Sequence, residues 1–393
     1  MGGKSSTITS AEERILSLQV QRSSQGLTLP VIYGRTRVAG NLIWYGDFIT
    51  IEHKTTTQQG GKGGGGVTQE DIKYTYEAAV MLALCEGEIS GVGRIWRDKE
   101  KFDSLAQLRL TLMRGGDEQP LWTHLAQAKH ADQALNYSGT AYLCSPNYEL
   151  TKSAQIYQHN FEVIGKLGYS GNIPDANPRD IIRDLLTNQR YGCGFPADGI
   201  GDTDRYSNYC RAVGIFLSPA YTEQGEAQRN ISELLEQTNS AAVFSQGRLK
   251  IVPYGDGNYR GNGAAYIADN KAIYDLTDDD FIVSGAEDPV NVERKTNADA
   301  FNQIQVEYLD RNNDYNVAVA EVKDQANIEQ YGLRPKEAVK MHGICNGKVA
   351  QKVAQQLLQR ALYVRNEYEF KLGWKYCLLE PMDIVTLTDA GLG

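Results

Sequence analysis

"IKYTYEAAVMLAL", residues 72–84, alternates along its length. Ile72, Tyr74, Tyr76, Ala78, Val80, Leu82 and Leu84 fall on one face, with Lys73, Thr75 and Glu77 opposite at its start. Successive side chains of an extended chain point to opposite faces, so this period of two predicts an unusually long β-strand. Upstream, "LPVIYGRTRVAGNLIWYGDF" (29–48) holds two apolar runs, Val31–Tyr33 and Leu42–Tyr45, which read as adjacent strands. Arg35 and Arg37 are then exposed on their connection. Downstream, "RIWRDKEKF" reads as a hairpin turning at Asp98–Lys99. "GTAYLCSPNYEL" and "AQIYQHNFEVI" carry the β pattern on to about residue 165.

Helical signals follow. "DANPRDIIRDLLTNQRYG" offers Asn177 as N-cap, Pro178 at the first helical position and Asp180 in the first turn, all suited to unpaired N–H groups. Ile181, Ile182, Leu185 and Leu186 form its apolar stripe. "EAQRNISELLEQTNS" repeats the pattern through Ala227, Ile231, Leu234 and Leu235, and "AAVFSQGRLKIVPYG" predicts a hairpin turning at Gln246–Gly247. Beyond the acidic joint "YDLTDDDF" come strands at "NQIQVEYLD" and "YNVAVAEV". A long helix at 347–365 follows, with Val349, Ala350, Val353, Ala354, Leu357, Leu358 and Ala361 inward, and then "YEFKLGW" and "DIVTLTD". No closing element follows this last strand, so a fragment of a longer protein is expected.

The 393 residues are long enough for two or three domains, and 41% hydrophobic with 23% charged residues is ordinary globular composition. Tyrosine is the outlier, 23 against 9 Phe and 4 Trp, and it favours strands and partly wet interfaces. A net charge of −9 and the lack of a basic run exclude tight non-specific binding of nucleic acid. Six cysteines without a C-x-x-C pair read as free thiols of a reducing compartment. No segment approaches 18 consecutive apolar residues, so stable membrane insertion by this segment is not expected, and synthesis in a cytosol is.

Motifs for chemistry fail on context. Gly61, Gly63 and Gly66 fit G-x-G-x-x-G, but polar "HKTTTQQ" precedes them and a strand follows, where a dinucleotide site needs a strand and then a helix. A hairpin loop is the reading. Asp310, Asn312, Asp314 and Glu321 occupy four EF-hand positions, yet Tyr315 stands where the turn needs Gly and the flanks are strands. Calcium is the lesser reading beside a polar hairpin turn. The five histidines show no metal-ligand spacing and no acidic partner at ligand intervals, and His159 alternates with Tyr157 and Phe161 as a strand-face residue. With no nucleophile elbow, zinc-protease motif or carboxylate pair, no enzyme, no metal and no cofactor are expected.

Five stretches, in order, resemble the phage tail-tip attachment or host-specificity J family, related to baseplate hubs. They are "PVIYGRTRVAGNLIWYGDF", "YTYEAAVMLALCEGEISGVGRIWRDKEKF", "NPRDIIRDLLTNQRYGCGFP", "YDLTDDDFIVSGAEDPVNVERKTNADAFNQIQVEYLDRNNDY" and "YEFKLGWKYCLLEPMDIVTLTD", spanning roughly residues 29–389. Met382 departs from the pattern, since the family usually carries Gly there, and an altered tight turn is expected.

The resemblance implies an α+β, mainly β, multi-domain phage hub with tube-type β-barrel domains and a few packing helices. It divides the chain into an arm (1–28), a β-rich hub domain with the Gly-rich loop (29–170), an α+β domain (171–285) and a truncated barrel-type domain with one long helix (286–393). The implied role is a virion protein, made in the host bacterial cytoplasm. It forms a trimeric hub at the tail tip that closes or continues the tail tube for DNA passage and ejection and anchors host-attachment parts. Implied partners are the distal tail protein, the tape-measure protein, other tail-tip proteins and, transiently, phage DNA. Arg35, Arg37, Gly61, Gly63 and Gly66 become assembly-surface candidates. The alternatives are a receptor- or glycan-binding adhesin and a cell-wall hydrolase component.

Overall fold

The computed structural model describes residues 6–18, 28–59, 67–170, 172–283, 285, 288–296 and 300–388. Among them lie 24 strands and five α-helices, so the chain is α+β and mainly β, as expected; the expected β-barrels are not closed, since each sheet of the described residues ends in unpaired edge strands. It forms two compact units, residues 1–166 with 220–224, and residues 167–219 with 225–393, where the sequence reading divides it into an arm and three domains.

The first unit is built on the strand Val67–Glu86. One edge of it pairs antiparallel with Asn41–Gln59. The other edge takes Ser6–Ala11 in parallel and, further along, Thr140–Glu149 antiparallel. Part of the expected arm is thus a strand of this sheet. Tyr76, Ala78, Val80, Leu82 and Leu84 enter one apolar core with Val38, Ile95, Phe161 and Val163. Ala79 and Met81, on the opposite face, enter a second core with Trp122, Leu125, Tyr142 and Cys144. The strand is therefore amphipathic at its start and covered on both faces at its end. Each fully buried side chain of this size contributes about 1.5–3 kcal/mol.

A second sheet in this unit has the order Arg35–Ala39, His159–Ile164, Gly91–Arg97, Glu100–Phe102, and the hairpin at Asp98–Lys99 closes its last pair. The two runs expected to be adjacent strands are not paired with each other. Val31–Ile32 pairs with Ala220–Tyr221, whereas Leu42 and Tyr45 lie opposite Leu82 and Val80 in the first sheet. Gly40 precedes the strand of the first sheet, and a Cβ there would lie 2.8 Å from the Phe161 ring, so only glycine fits.

In the second unit, helix α1 (Pro178–Thr187) begins where the capping residues predict, with the Asn177 side chain accepting the Arg179 N–H. Helix α2 (Asp204–Val213) lacks an aliphatic stripe that would announce it: Tyr206, Tyr209 and Cys210 make most of its buried face, with Ala212 and Val213 only at its end. It ends at Gly214, φ 81°, whose N–H reaches the Cys210 and Arg211 carbonyls. Helix α3 (Ala227–Gln237) follows the expected stripe, and the hairpin after it turns at Gln246 and Gly247, both with positive φ (51° and 75°). Short α4 (Gln325–Tyr331) is capped by Asp324 and buries none of its residues, so it carries no apolar stripe in the sequence. Helix α5 (Gly347–Tyr363) packs Leu358 and Leu362 on Ile304 of the strand Gln303–Asp310.

The acidic joint is an anchored turn. Tyr274–Thr277 pairs in parallel with Val385–Thr388, and Thr277 and Asp280 form a capping box. The hydroxyl of Tyr376 donates to Asp280 and, with the Thr277 N–H, holds that carboxyl below its usual range. Among the described residues no helix is long and apolar enough to cross a membrane.

Candidate functional site

A cluster in the first unit joins residues that sequence spacing keeps apart. Gly46 lies opposite Ala79 and Ile49 opposite Glu77, so the long strand carries one extra residue here, a β-bulge. Asp47 sits in the bulge with φ 49°, a conformation that Asp tolerates better than most residues. A bulge re-aims its side chain, and this one presents the Asp47 carboxylate to residues 121–133.

Asp47 Oδ2 accepts from His124 Nε2 at 2.7 Å, His130 Nε2 at 3.0 Å and Lys129 Nζ at 2.7 Å. Burial would raise the Asp47 pKa, but the hydrogen bonds from Lys129, His130 and His124 overcome it and hold the group well below the usual range. Both histidine side chains are 12% exposed and the Asp47 side chain 21%.

Aromatic groups wall the cluster. Trp122 stacks on His124 with centroids 4.8 Å apart, and Trp44 meets His124 and His130 edge-on at 6.3 and 5.2 Å. The Trp44 indole N–H donates to Gln133 Oε1 at 2.7 Å, fixing its ring. A Cβ at Gly46 would stand 2.8 Å from the Trp44 ring, so glycine lets the indole fold over the bulge. Among the described residues this is the one group of three or more His, Cys, Asp or Glu side chains placed to share a metal ion. Sequence reasoning missed it because the acidic partner arrives through strand pairing. The one local signal was Gly46–Asp47 inside an otherwise continuous strand pattern.

The sequence-named candidates are not brought together. Arg35 and Arg37 are not exposed on a connection: both lie half-buried in the strand Arg35–Ala39, opposite Ile164 and Glu162. The Arg37 guanidinium lies 4.5 Å from the Trp96 ring centroid, with Arg94 at 5.3 Å. Arg94 makes a forked pair with Glu162 (3.2 and 2.7 Å). Gly61, Gly63 and Gly66 lie outside the described residues.

Asp310, Asn312, Asp314 and Glu321 do not converge on calcium. Asp310 opposes Asn316 at the hairpin end, while Glu321 opposes Gln305 five rungs along, roughly 17 Å away at the rise of a strand. Glu321 is occupied by Gln303, Gln305 and Lys323. His159 is a buried strand residue: its Nδ1–H donates to the Tyr157 carbonyl at 2.8 Å and its Nε2 accepts from Tyr148 Oη at 2.9 Å. Burial pushes its pKa down to about 4. Met382 has φ 75°, so the turn keeps the left-handed conformation that suits glycine and strains methionine.

In the second unit Arg311 forks onto Asp175, with Nη1 to Oδ2 at 3.1 Å and Nη2 to Oδ1, and Ser218 also donates to that carboxylate. The Asp175 side chain is 5% exposed. This arrangement is a clamp between distant segments, with no room at the carboxylate for a substrate.

Comparison with known proteins gives one family match and two structural neighbours. Residues 226–393 match the family model Phage-tail_3, described as a putative phage tail protein. The whole chain aligns with 83% of a chain from the virion of a native gene transfer agent particle, at 20% identity and a TM-score of 0.61, and so shares its fold. The 43 kDa tail protein of prophage MuSo2 from Shewanella oneidensis aligns with 92% of this chain and 90% of its own, at 14% identity and a TM-score of 0.33. No curated protein matches the chain. The family match thus covers the C-terminal part of the chain, and the likeness to the virion chain is one of fold along the whole chain.

Proposed function

We propose that the chain is a non-enzymatic structural protein of the virion, the hub of the phage tail tip. In this reading three copies form a ring that continues or closes the tail tube. The ring meets the distal tail and tape-measure proteins and neighbouring tip proteins, and anchors the parts that recognise the host. The observation that carries it is the phage-tail match over residues 226–393, set within a fold shared along the whole chain with a virion component.

Surface chemistry supports an assembled protein. Val317 and Val319 stand exposed two residues apart on the outer strand of the sheet that α5 covers, and Trp374 and Leu378 are 89% and 78% exposed. Large apolar groups in such positions suit surfaces that become covered. The net charge of −9 suits a lumen that passes DNA without holding it.

Native mass measurement of the purified chain tests the stoichiometry. A species of three chains, lost when Val317 and Val319 are both changed to Lys, is expected. A monomer at every concentration contradicts a ring that assembles from this chain alone.

A further inference from the structure

We propose that Asp47, His124 and His130 bind one divalent cation of the zinc class. The three donor atoms lie within 4.8 Å of one another and come from two separate segments, the bulge and the stretch around residues 124–130. Two imidazoles with one carboxylate favour zinc, cobalt or nickel over magnesium and calcium, which prefer all-oxygen shells.

The fit is close. A tetrahedral zinc with bonds of about 2.0–2.1 Å holds its ligand atoms about 3.3 Å apart. Asp47 Oδ2 now stands 2.7 and 3.0 Å from the two Nε2 atoms, so each of these two contacts opens by a few tenths of an ångström, while the two imidazole nitrogens already lie within 4.8 Å of each other. Each Nε2 now carries a hydrogen that it donates to the carboxylate. On binding, a neutral imidazole moves that hydrogen to Nδ1, and an imidazolium releases a proton. Water fills the fourth position. Lys129, whose side chain is 52% exposed, supplies the countercharge and can withdraw into solvent when the cation enters.

The surroundings give the ion a task. Residues 114–139 contain no strand and only one 3-10 helix, Ala128–Gln133. Both histidines belong to this irregular stretch, and Asp47 belongs to the sheet beneath it. A shared cation fastens the stretch to the bulge, and the rings of Trp44 and Trp122 hold the imidazoles in orientation.

The test uses the full chain, freed of metal by chelator and dialysis and titrated with zinc chloride and cobalt chloride. The expected results are one equivalent per chain, a tetrahedral cobalt absorption band, and a zinc-dependent rise in Tm of about 5 °C at a hundredfold excess over Kd. His124→Asn with His130→Gln lowers affinity more than about 100-fold and removes the rise. Lys129→Ala tightens binding by removing a like charge, which a mere hydrogen-bonded latch does not explain. Uptake equal in the wild type and in the folded double variant overturns the proposal. If the double variant fails to fold, the wild-type cobalt spectrum decides: a tetrahedral band supports the site, and its absence overturns it.

Discussion

In the first unit one strand, Val67–Glu86, pairs along both edges and feeds two apolar cores; in the second, most strands meet only one neighbour. A pair of strands is marginal on its own in water. The second unit compensates with helices and with polar links between distant segments. Arg311 reaches Asp175, Tyr376 reaches Asp280, Lys250 reaches Glu380 at 2.7 Å, and Gln356 reaches Tyr209 at 3.0 Å. Both units bury apolar cores, but in the second these polar joints tie together segments that its short sheets leave unpaired.

The sharpest way to break this contrast is at the clamp. Arg311→Ala leaves Asp175 buried beside Ser218 without its cation, and a loss of about 3–5 kcal/mol is expected in denaturant unfolding. Replacing both partners with apolar residues of similar volume should restore most of it. A loss under about 1 kcal/mol for the single change would remove the polar-joint reading.

Next comes Leu84→Ala in the central strand, with no solvent exposure, for which about 3 kcal/mol is expected from lost transfer and cavity formation. The loss should appear in protection of the first unit's amides, with those of the second unchanged.

His159 sharpens the comparison from the other side, as a buried polar residue beside the first unit's continuous sheet. Burial keeps it neutral down to about pH 4, against 6.5 for an exposed imidazole. The unfolded chain therefore takes up the proton first. This contribution is complete above about pH 6.5 and is lost as pH falls through 4, amounting to on the order of 2–3 kcal/mol. His159→Gln should flatten that part of the stability–pH curve, and an unchanged curve would show that the ring is not held neutral. The smallest effect is a gain: Met382→Gly should stabilise the second unit by about 1 kcal/mol by relieving the left-handed methionine, read as a raised Tm.

Much of the fold is legible in the sequence where the signals are local. Asn177–Pro178 marks a helix start, Gln246–Gly247 a hairpin turn, and the alternation from Ile72 the longest strand. Helix α2 was not legible because tyrosines form its core face, and aromatic rings carry no strong helical preference. The pairing of Arg35–Ala39 with His159–Ile164 is a long-range choice that no nearby residue announces, so local sequence alone leaves Arg35 and Arg37 on a connection. The Asp47 cluster was hidden for the same reason. It depends on a bulge, and a bulge changes where one side chain points without changing the apolar period around it.

The tail-tip role is tested most directly by locating the chain on intact particles, by electron microscopy with a label fused to it and averaging about the tail axis. Label at the tip in threefold arrangement is the predicted result. Label along the tube, at the head, or absent from particles would contradict it.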